Sequence, residues 1–145
     1  MKELRQKALK LLARREYSRA ELARKLAPLG TTEEIAALLA ELERTKLLSD
    51  ARVADAYLRS HSDRFGIIRL RQGLRAKGIE VELAEQQLAA TEFPDELDRA
   101  RALWTRKFGT PPADRRAWAK QARFLQARGF STDVICHLLR EPEES

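Results

Sequence analysis

The chain has 145 residues, a net charge of +6 and a pI near 9.8, which favours an anionic partner such as nucleic acid, an acidic protein or a membrane surface. Six glycines, five prolines and few aromatic residues argue against an all-β fold. The single cysteine excludes an internal disulfide, the first ten residues are too charged for a signal peptide, and no stretch resembles a membrane span. These features predict a cytoplasmic protein.

A segment of the sequence occurs three times, and each copy is an amphipathic helix, a glycine and a second amphipathic helix. The glycines are Gly30, Gly78 and Gly129, spaced 48 and 51 residues apart. A leucine lies four residues before each glycine, and an apolar residue lies five residues after it. A period of this length indicates a repeat architecture, which usually acts through an extended surface.

The first repeat begins with a predicted helix over residues 3–15, which carries its apolar residues on one face. Ser18 with Glu21 has the form of a capping box and predicts the start of a second helix. Thr31 with Glu34 has the same form and predicts the start of a third. Pro28 and Gly30 are predicted to end the second helix.

The same pattern then restarts twice along the chain. In the second and third repeats, helix starts are predicted at Ser49-Asp50, Gly66, Glu80, Pro94, near Ala113 and at Ser131. The loop over residues 109–112 carries one glycine and two prolines and separates two helices of the third repeat. The sequence therefore predicts an all-α fold of about nine helices, arranged as three tandem three-helix repeats. The predicted domains are residues 1–48, 49–92 and 93–140, followed by an acidic tail over 141–145.

Charge is segregated within these repeats. Residues 64–79 and 115–132 contain basic residues and no acid, whereas residues 80–92 and 31–43 contain acids and no base. On a helical wheel Arg116, Lys120 and Arg123 cluster within about 60°, opposite Trp118, Ala122 and Leu125. The proposed partner- or DNA-binding residues are therefore Arg69, Arg71, Arg75, Lys77, Arg116, Lys120, Arg123 and Arg128. The competing interpretation is a solvated helix face whose charges only suit the helix dipole.

The sequence gives little support for catalysis. Cys136 and His137 are adjacent, so on a helix their side chains diverge by about 100° and form no dyad. No Cys/His spacing fits zinc, and no phosphate-binding loop or dinucleotide fingerprint is present, so no metal, cofactor or catalytic residue is predicted.

Several ordered motifs resemble those of the bacterial RecX regulatory proteins, from about residue 8 to 139. The matching stretches are Arg15-Glu16-Tyr17-Ser18 with Glu21-Leu22 and Lys25-Leu26, Leu48-Ser49-Asp50 with Arg52, Ala54 and Tyr57, Gly66 with Leu74 and Lys77-Gly78-Ile79, and Arg123-Phe124-Leu125 with Arg128-Gly129-Phe130-Ser131 and Ile135. The chain departs from the family pattern at Ser49-Asp50, where two acids are common, at Val53, where phenylalanine is common, and at Leu29, where a base is common.

The resemblance implies three-helix repeats in an elongated, curved array and no catalytic activity. It also implies binding in the groove of RecA filaments on single-stranded DNA, with inhibition of RecA ATP hydrolysis, strand exchange and co-protease activity. The expected partners are thus RecA and single-stranded DNA, contacted directly or through RecA, and the expected state is a monomer. The expected biological outcome is modulation of DNA repair, recombination and the SOS response.

Two other functions remain open from the residues alone. Short helices joined by tight turns resemble helix-turn-helix modules, so a direct DNA-binding regulator is the first alternative. No cluster of Asn, Gln and Arg at a helix start supplies an obvious base-reading surface for it. An enzyme of unrecognised type that uses Cys136 and His137 is the second.

Overall fold

The computed structural model describes residues 2–139, and all the regular elements of this part of the chain are helical. The helices are α1 (Lys2–Arg14), α2 (Arg19–Leu26), α3 (Thr32–Arg44), α4 (Asp50–His61), α5 (Ile67–Ala76), α6 (Val81–Ala90), α7 (Glu96–Lys107), α8 (Arg115–Ala127) and α9 (Thr132–Leu138), with a short 3-10 helix at Ala27–Leu29. The all-α prediction is confirmed. The predicted acidic tail lies outside the described residues.

Helix starts are set by side-chain caps. Both predicted capping boxes are present. The side-chain oxygens of Ser18 and Thr31 each accept a hydrogen bond from the N–H of the glutamate three residues later, and the carboxylates of Glu21 and Glu34 accept one from the N–H of the cap residue. Two caps were missed. Asp95 caps α7 and Asp114 caps α8, so these helices begin two residues later than Pro94 and Ala113 indicated.

The chain divides into two compact units, each with its own apolar core. The first unit comprises residues 1–57 and 74–90, and the second comprises residues 58–73 and 91–145. The first core is built on buried leucines of α1 to α3 and the second on apolar side chains of α7 to α9. The division passes through α4 and α5, so each unit contains one outer repeat together with part of the middle repeat.

The three repeat glycines are not equivalent. Gly78 and Gly129 have φ of 78° and 89°, the left-handed conformation that glycine adopts without steric cost. Each closes its helix in a Schellman motif, in which the glycine and the next residue donate to carbonyls of the last turn. Gly30 is extended, with φ −164° and ψ 175°, and follows the 3-10 helix instead. Pro28 explains the difference, because it lacks the N–H that an α-helical turn would use.

Candidate interaction surface

Helix α8 presents a basic face to solvent. Arg116, Lys120 and Arg123 are exposed, while Leu125 and Gln121 are buried on the opposite side. None of the three cations forms an ion pair with any other residue that the structure describes. The helix wheel predicted this exposed face, and among residues 2–139 no acidic side chain neutralises it by an ion pair.

Polar contacts of the two tryptophans fix the buried side of α8. The Trp104 indole Nε1 donates to Gln121 Oε1 at 2.8 Å, and the Gln121 amide donates onward to the Thr110 carbonyl at 3.2 Å. Trp118 Nε1 donates to the Leu139 carbonyl at 3.1 Å. Both indoles pack against the second core, so they support the basic face from beneath.

The four candidate residues of α5 and its C-terminal cap fall into two groups. Arg69 and Arg71 belong to the second compact unit, and Arg75 and Lys77 belong to the first. Arg69, Arg71 and Arg75 are exposed, while Lys77 is partly buried. The sequence pattern grouped these four residues as basic candidates of one segment, but the structure divides them between the two compact units.

In the second unit, the start of α5 packs against the end of α8, and we call residues 66–69 with 127–129 the second junction. The Gly66 N–H donates to the Arg128 carbonyl at 2.9 Å, and the Ile68 N–H donates to the Gly129 carbonyl at 3.1 Å. Arg69 Nη1 donates to the Ala127 carbonyl at 2.9 Å. The two elements meet so closely that a Cβ on Gly129 would lie 2.2 Å from the Arg69 Cβ.

In the first unit, the start of α2 packs in a comparable way against the end of α5, and we call residues 18–21 with 77–78 the first junction. Ser18 Oγ donates to the Lys77 carbonyl at 2.5 Å. A Cβ on Gly78 would lie 2.4 Å from the Ala20 Cβ. Each junction thus joins the start of one middle helix to the glycine-closed end of the next middle helix.

Cations lie over aromatic rings at both junctions. At the first, Arg15 lies 3.7 Å from the Tyr17 ring centroid and Lys77 lies 5.8 Å from that of Tyr57. At the second, the corresponding distances are 4.4 Å for Arg69 over Phe65 and 5.1 Å for Arg128 over Phe124, with Lys107 5.5 Å from the latter ring. All of these distances fall within the range of cation–π attraction.

The junctions differ in charge at one equivalent position. Glu21 and Arg69 each lie nine residues before the glycine of their repeat. Glu21 Oε2 lies 3.7 Å from Lys77 Nζ, and Glu21 Oε1 lies 3.9 Å from Arg15 Nη1. Burial raises the pKa of Glu21, but the hydrogen bonds from Ser18 and the charges of Lys77 and Arg15 outweigh it and leave the pKa below its ordinary value. At the second junction, Arg69 replaces this acid with a base.

Sequence reasoning missed two residues that hold the second unit together. Arg99 is only 4% exposed and donates to the carbonyls of Ser62, Pro94 and Phe65 at 2.7, 2.9 and 3.3 Å. Burial lowers the pKa of its guanidinium, although Glu96 and Asp95 oppose this effect. The helix dipole disfavours a base in the first turn of a helix, so the position of Arg99 near the start of α7 was the sequence signal that could have identified it.

Glu96 is the second missed residue. One of its carboxylate oxygens accepts from the Ile67 N–H at 2.5 Å, at the start of α5, and the other accepts from Ser131 Oγ at 3.1 Å, at the cap of α9. A single side chain thus links the starts of three helices of the second unit. Together with Arg99, it determines where the second junction lies relative to α7.

Three family models cover most of the chain: the first, second and third three-helix domains of RecX match residues 5–42, 49–88 and 94–139. The chain belongs to the RecX family. This confirms the resemblance found in the sequence and, with the nine helices of residues 2–139, the prediction of three three-helix domains.

Several RecX proteins are similar over nearly the whole chain. The regulatory protein RecX of Leptothrix cholodnii is 49% identical over 138 residues, which cover 94% of this chain and 87% of the relative. That of Ralstonia nicotianae is 42% identical over 141 residues, which cover 94% and 86%. These relatives are named as regulatory proteins.

Crystal structures of RecX share the fold. RecX from Lactobacillus salivarius has a TM-score of 0.81 at 23% identity, with 94% of this chain and 92% of that chain covered. A second RecX crystal structure has a TM-score of 0.77 at 25% identity, with 94% and 71% covered. Within residues 2–139, no helix is long and apolar enough to cross a membrane, and no group of three or more His, Cys, Asp or Glu side chains is placed to hold a metal ion.

Proposed function

We propose that this RecX-family chain is a non-catalytic cytoplasmic regulator that binds, as a monomer and without a cofactor, in the groove of RecA filaments on single-stranded DNA. It inhibits RecA ATP hydrolysis, strand exchange and co-protease activity, and thereby modulates DNA repair, recombination and the SOS response. Family membership supports the regulatory class. The observation that carries the proposal on this chain is the exposed face of α8, whose cations have no ion-pair partner among the described residues.

Inhibition of this kind requires no chemistry by the regulator. A nucleoprotein filament offers regularly spaced protomers and a dense line of phosphates, so tandem repeats that bind one protomer are held near the next. The second contact is then intramolecular, which raises the overall affinity through effective concentration. A regulator that bridges protomers restricts their motion and so slows ATP hydrolysis.

The eight candidate residues differ in how directly they test this proposal. Arg116, Lys120 and Arg123 are exposed and lack an intramolecular ion pair among the described residues, so changing them leaves packing intact. Arg69 and Lys77 hold junctions together, so their substitution also affects folding. If contacts of the α8 face are desolvated in the complex, each contributes about 1–3 kcal/mol to binding.

The test is the triple charge reversal Arg116→Glu, Lys120→Glu and Arg123→Glu. The assay is ATP hydrolysis by the cognate RecA on single-stranded DNA, titrated with substoichiometric amounts of the regulator. Three contacts at the lower magnitude predict a loss of inhibitory potency of about 100-fold or more. Circular dichroism at 222 nm establishes that helicity is retained.

Helix α1 offers a matched control. Lys7, Lys10 and Arg14 are also exposed and recur with helical spacing, so their reversal to Glu makes the same change in net charge. The control variant should keep most of its potency. Equal losses of inhibitory potency in both variants would mean that the effect depends on net charge alone. Undiminished inhibition by the α8 variant would refute the assignment of the α8 face.

A further inference from the structure

The chain leaves the described part of the structure beside helix α8. Leu139, the last described residue, is buried, and its carbonyl accepts a hydrogen bond from the Trp118 indole Nε1 at 3.1 Å. This bond fixes the point from which the chain continues into the acidic tail over residues 141–145. Arg116 and Lys120 lie two residues to either side of Trp118, which is a rise of about 3 Å along the helix axis in each direction. The tail therefore starts at the level of the basic face.

A groove between α8 and α9 joins this starting point to the basic face. It has a volume of about 310 Å³, and Trp118, Ala122 and Ile135 contribute apolar surface to its lining. Arg123, an exposed cation of the α8 face, lines the same groove. None of the described residues that line it is acidic. The groove thus combines an apolar lining with a cation that has no ion-pair partner among residues 2–139.

The acidic tail is complementary to this surface in charge and in polarity. Residues 141–145 contain the acids Glu141, Glu143 and Glu144 and no base, and Pro142 lies between the first two of them. An apolar ring flanked by carboxylates suits an apolar groove beside exposed cations. Proline has no backbone N–H, so its burial leaves no donor without an acceptor.

The tail is also long enough to reach the basic face. An extended chain spans at most about 3.3–3.6 Å per residue, so Glu143, four residues after Leu139, can lie up to about 14 Å from it. Arg116 and Arg123 are seven residues apart, which is about 10 Å of helix axis. The glutamates can therefore meet the cations without any change in the helices.

We propose that the groove between α8 and α9 is the docking site of the chain's own acidic tail, with Pro142 in the groove and the glutamates against the cations of the α8 face. The tether holds the tail near its site at an effective concentration in the millimolar range, so weak, exposed ion pairs are enough to populate the docked state. An external anionic partner then competes with the tail for these cations. The inference concerns the chain alone and does not depend on the proposed binding to RecA filaments.

Zero-length crosslinking of the full chain by a carbodiimide tests this docking, because the reagent joins an amine to a carboxylate only where the two groups meet. Peptide mapping by mass spectrometry at low salt should find Lys120 joined to a glutamate of the tail. The pair of Lys77 and Glu21, whose Nζ and Oε2 lie 3.7 Å apart, is the internal standard for the reagent. A mixture of isotope-labelled and unlabelled chains distinguishes linkage within one chain, which is expected, from linkage between two.

Two double variants test whether the α8 cations hold the tail. Arg116→Gln with Arg123→Gln leaves the Lys120 amine in place, and the yield of tail linkage should fall about threefold or more. The matched control, Arg14→Gln with Arg24→Gln, makes the same change at two exposed arginines of the first unit. It should change the yield by less than about 1.5-fold.

Pro142→Ser tests the groove itself, because it keeps every charge but removes the apolar ring. The loss of one buried methylene corresponds to about fourfold in an equilibrium constant, and the yield of tail linkage should fall by about this factor. Unchanged yield would overturn the placement of the tail in the groove. Absence of any tail linkage at Lys120 while the Lys77–Glu21 product forms would overturn the proposal, as would linkage only between two chains or equal losses in the two double variants.

Discussion

Substitution of Gly129 by alanine should weaken the second compact unit far more than the same change at Gly30. The two positions look alike in the sequence, because each follows a helix of its repeat. The structure separates them. Gly129 has φ 89° and faces Arg69. Gly30 has φ −164°, and its added Cβ would meet the ends of two side chains, Leu4 Cδ2 at 3.2 Å and Glu34 Oε1 at 3.6 Å.

The magnitude follows from two terms. An alanine in the left-handed conformation costs about 1–2 kcal/mol. The new Cβ would also lie 2.2 Å from the Arg69 Cβ and 2.5 Å from its backbone nitrogen, so the junction must open. Opening it loses the hydrogen bonds to the Arg128 and Gly129 carbonyls, about 1 kcal/mol each. Alanine also restricts the unfolded chain, which stabilises the fold by about 0.5 kcal/mol. The net decrease in the free energy of unfolding is therefore about 3 kcal/mol.

Urea unfolding followed by tryptophan emission measures this loss, because Trp104 and Trp118 both lie in the second unit. Gly109→Ala is the matched control within that unit. Gly109 has φ 71°, but its Cβ would meet only the Thr105 carbonyl at 3.2 Å, so about 1 kcal/mol is expected. Gly30→Ala, followed by circular dichroism, should lie within about 0.5 kcal/mol of the parent.

The reasoning is refuted if Gly129→Ala and Gly109→Ala cost the same, since close junction packing would then contribute nothing. A cost for Gly30→Ala as large as that for Gly129→Ala would refute the distinction between the two repeat glycines.

Three further predictions concern residues outside the proposed binding surfaces. Lys46 has φ 65° at the end of α3, so Lys46→Gly should raise the free energy of unfolding by about 0.5–1 kcal/mol, and a lower urea midpoint would contradict this. Arg99→Met leaves three backbone carbonyls without their hydrogen-bond donor, so the free energy of unfolding, followed by tryptophan emission, should fall by about 3 kcal/mol. The exposed control Arg101→Met should lower it by less than about 0.5 kcal/mol. Because the folded pKa of Glu21 lies below its ordinary 4.5, its contribution to stability is present above that pH and lost as pH falls through the folded pKa. Glu21→Gln should therefore flatten the acid side of the stability profile measured by urea midpoints, and an unchanged profile would exclude this role.

Interactions between residues close together in the chain determine where many of the helices begin, and such short-range patterns can be recognised in the sequence. The capping boxes at Ser18 and Thr31 and the cap at Ser131 involve residues only three apart, so they were predicted and are present. Helical periodicity likewise predicted the exposed face of Arg116, Lys120 and Arg123, because that face is a property of one helix. The Asp95 and Asp114 caps were missed since proline-containing loops precede them.

What the sequence alone determined is the repeat itself: nine helix-forming segments, their caps and the amphipathic faces that each must bury. Tertiary structure decided which segments meet, and therefore what each basic residue does. The second unit contains Arg69 and Arg71, and the first contains Arg75 and Lys77, although all four lie within nine residues of sequence. The physical reason is that a junction joins residues about sixty positions apart. Whether the charges at a junction are neutralised depends on which side chains those distant segments bring together. The first junction has Glu21 beside its cations, and the second has Arg69 at the equivalent position.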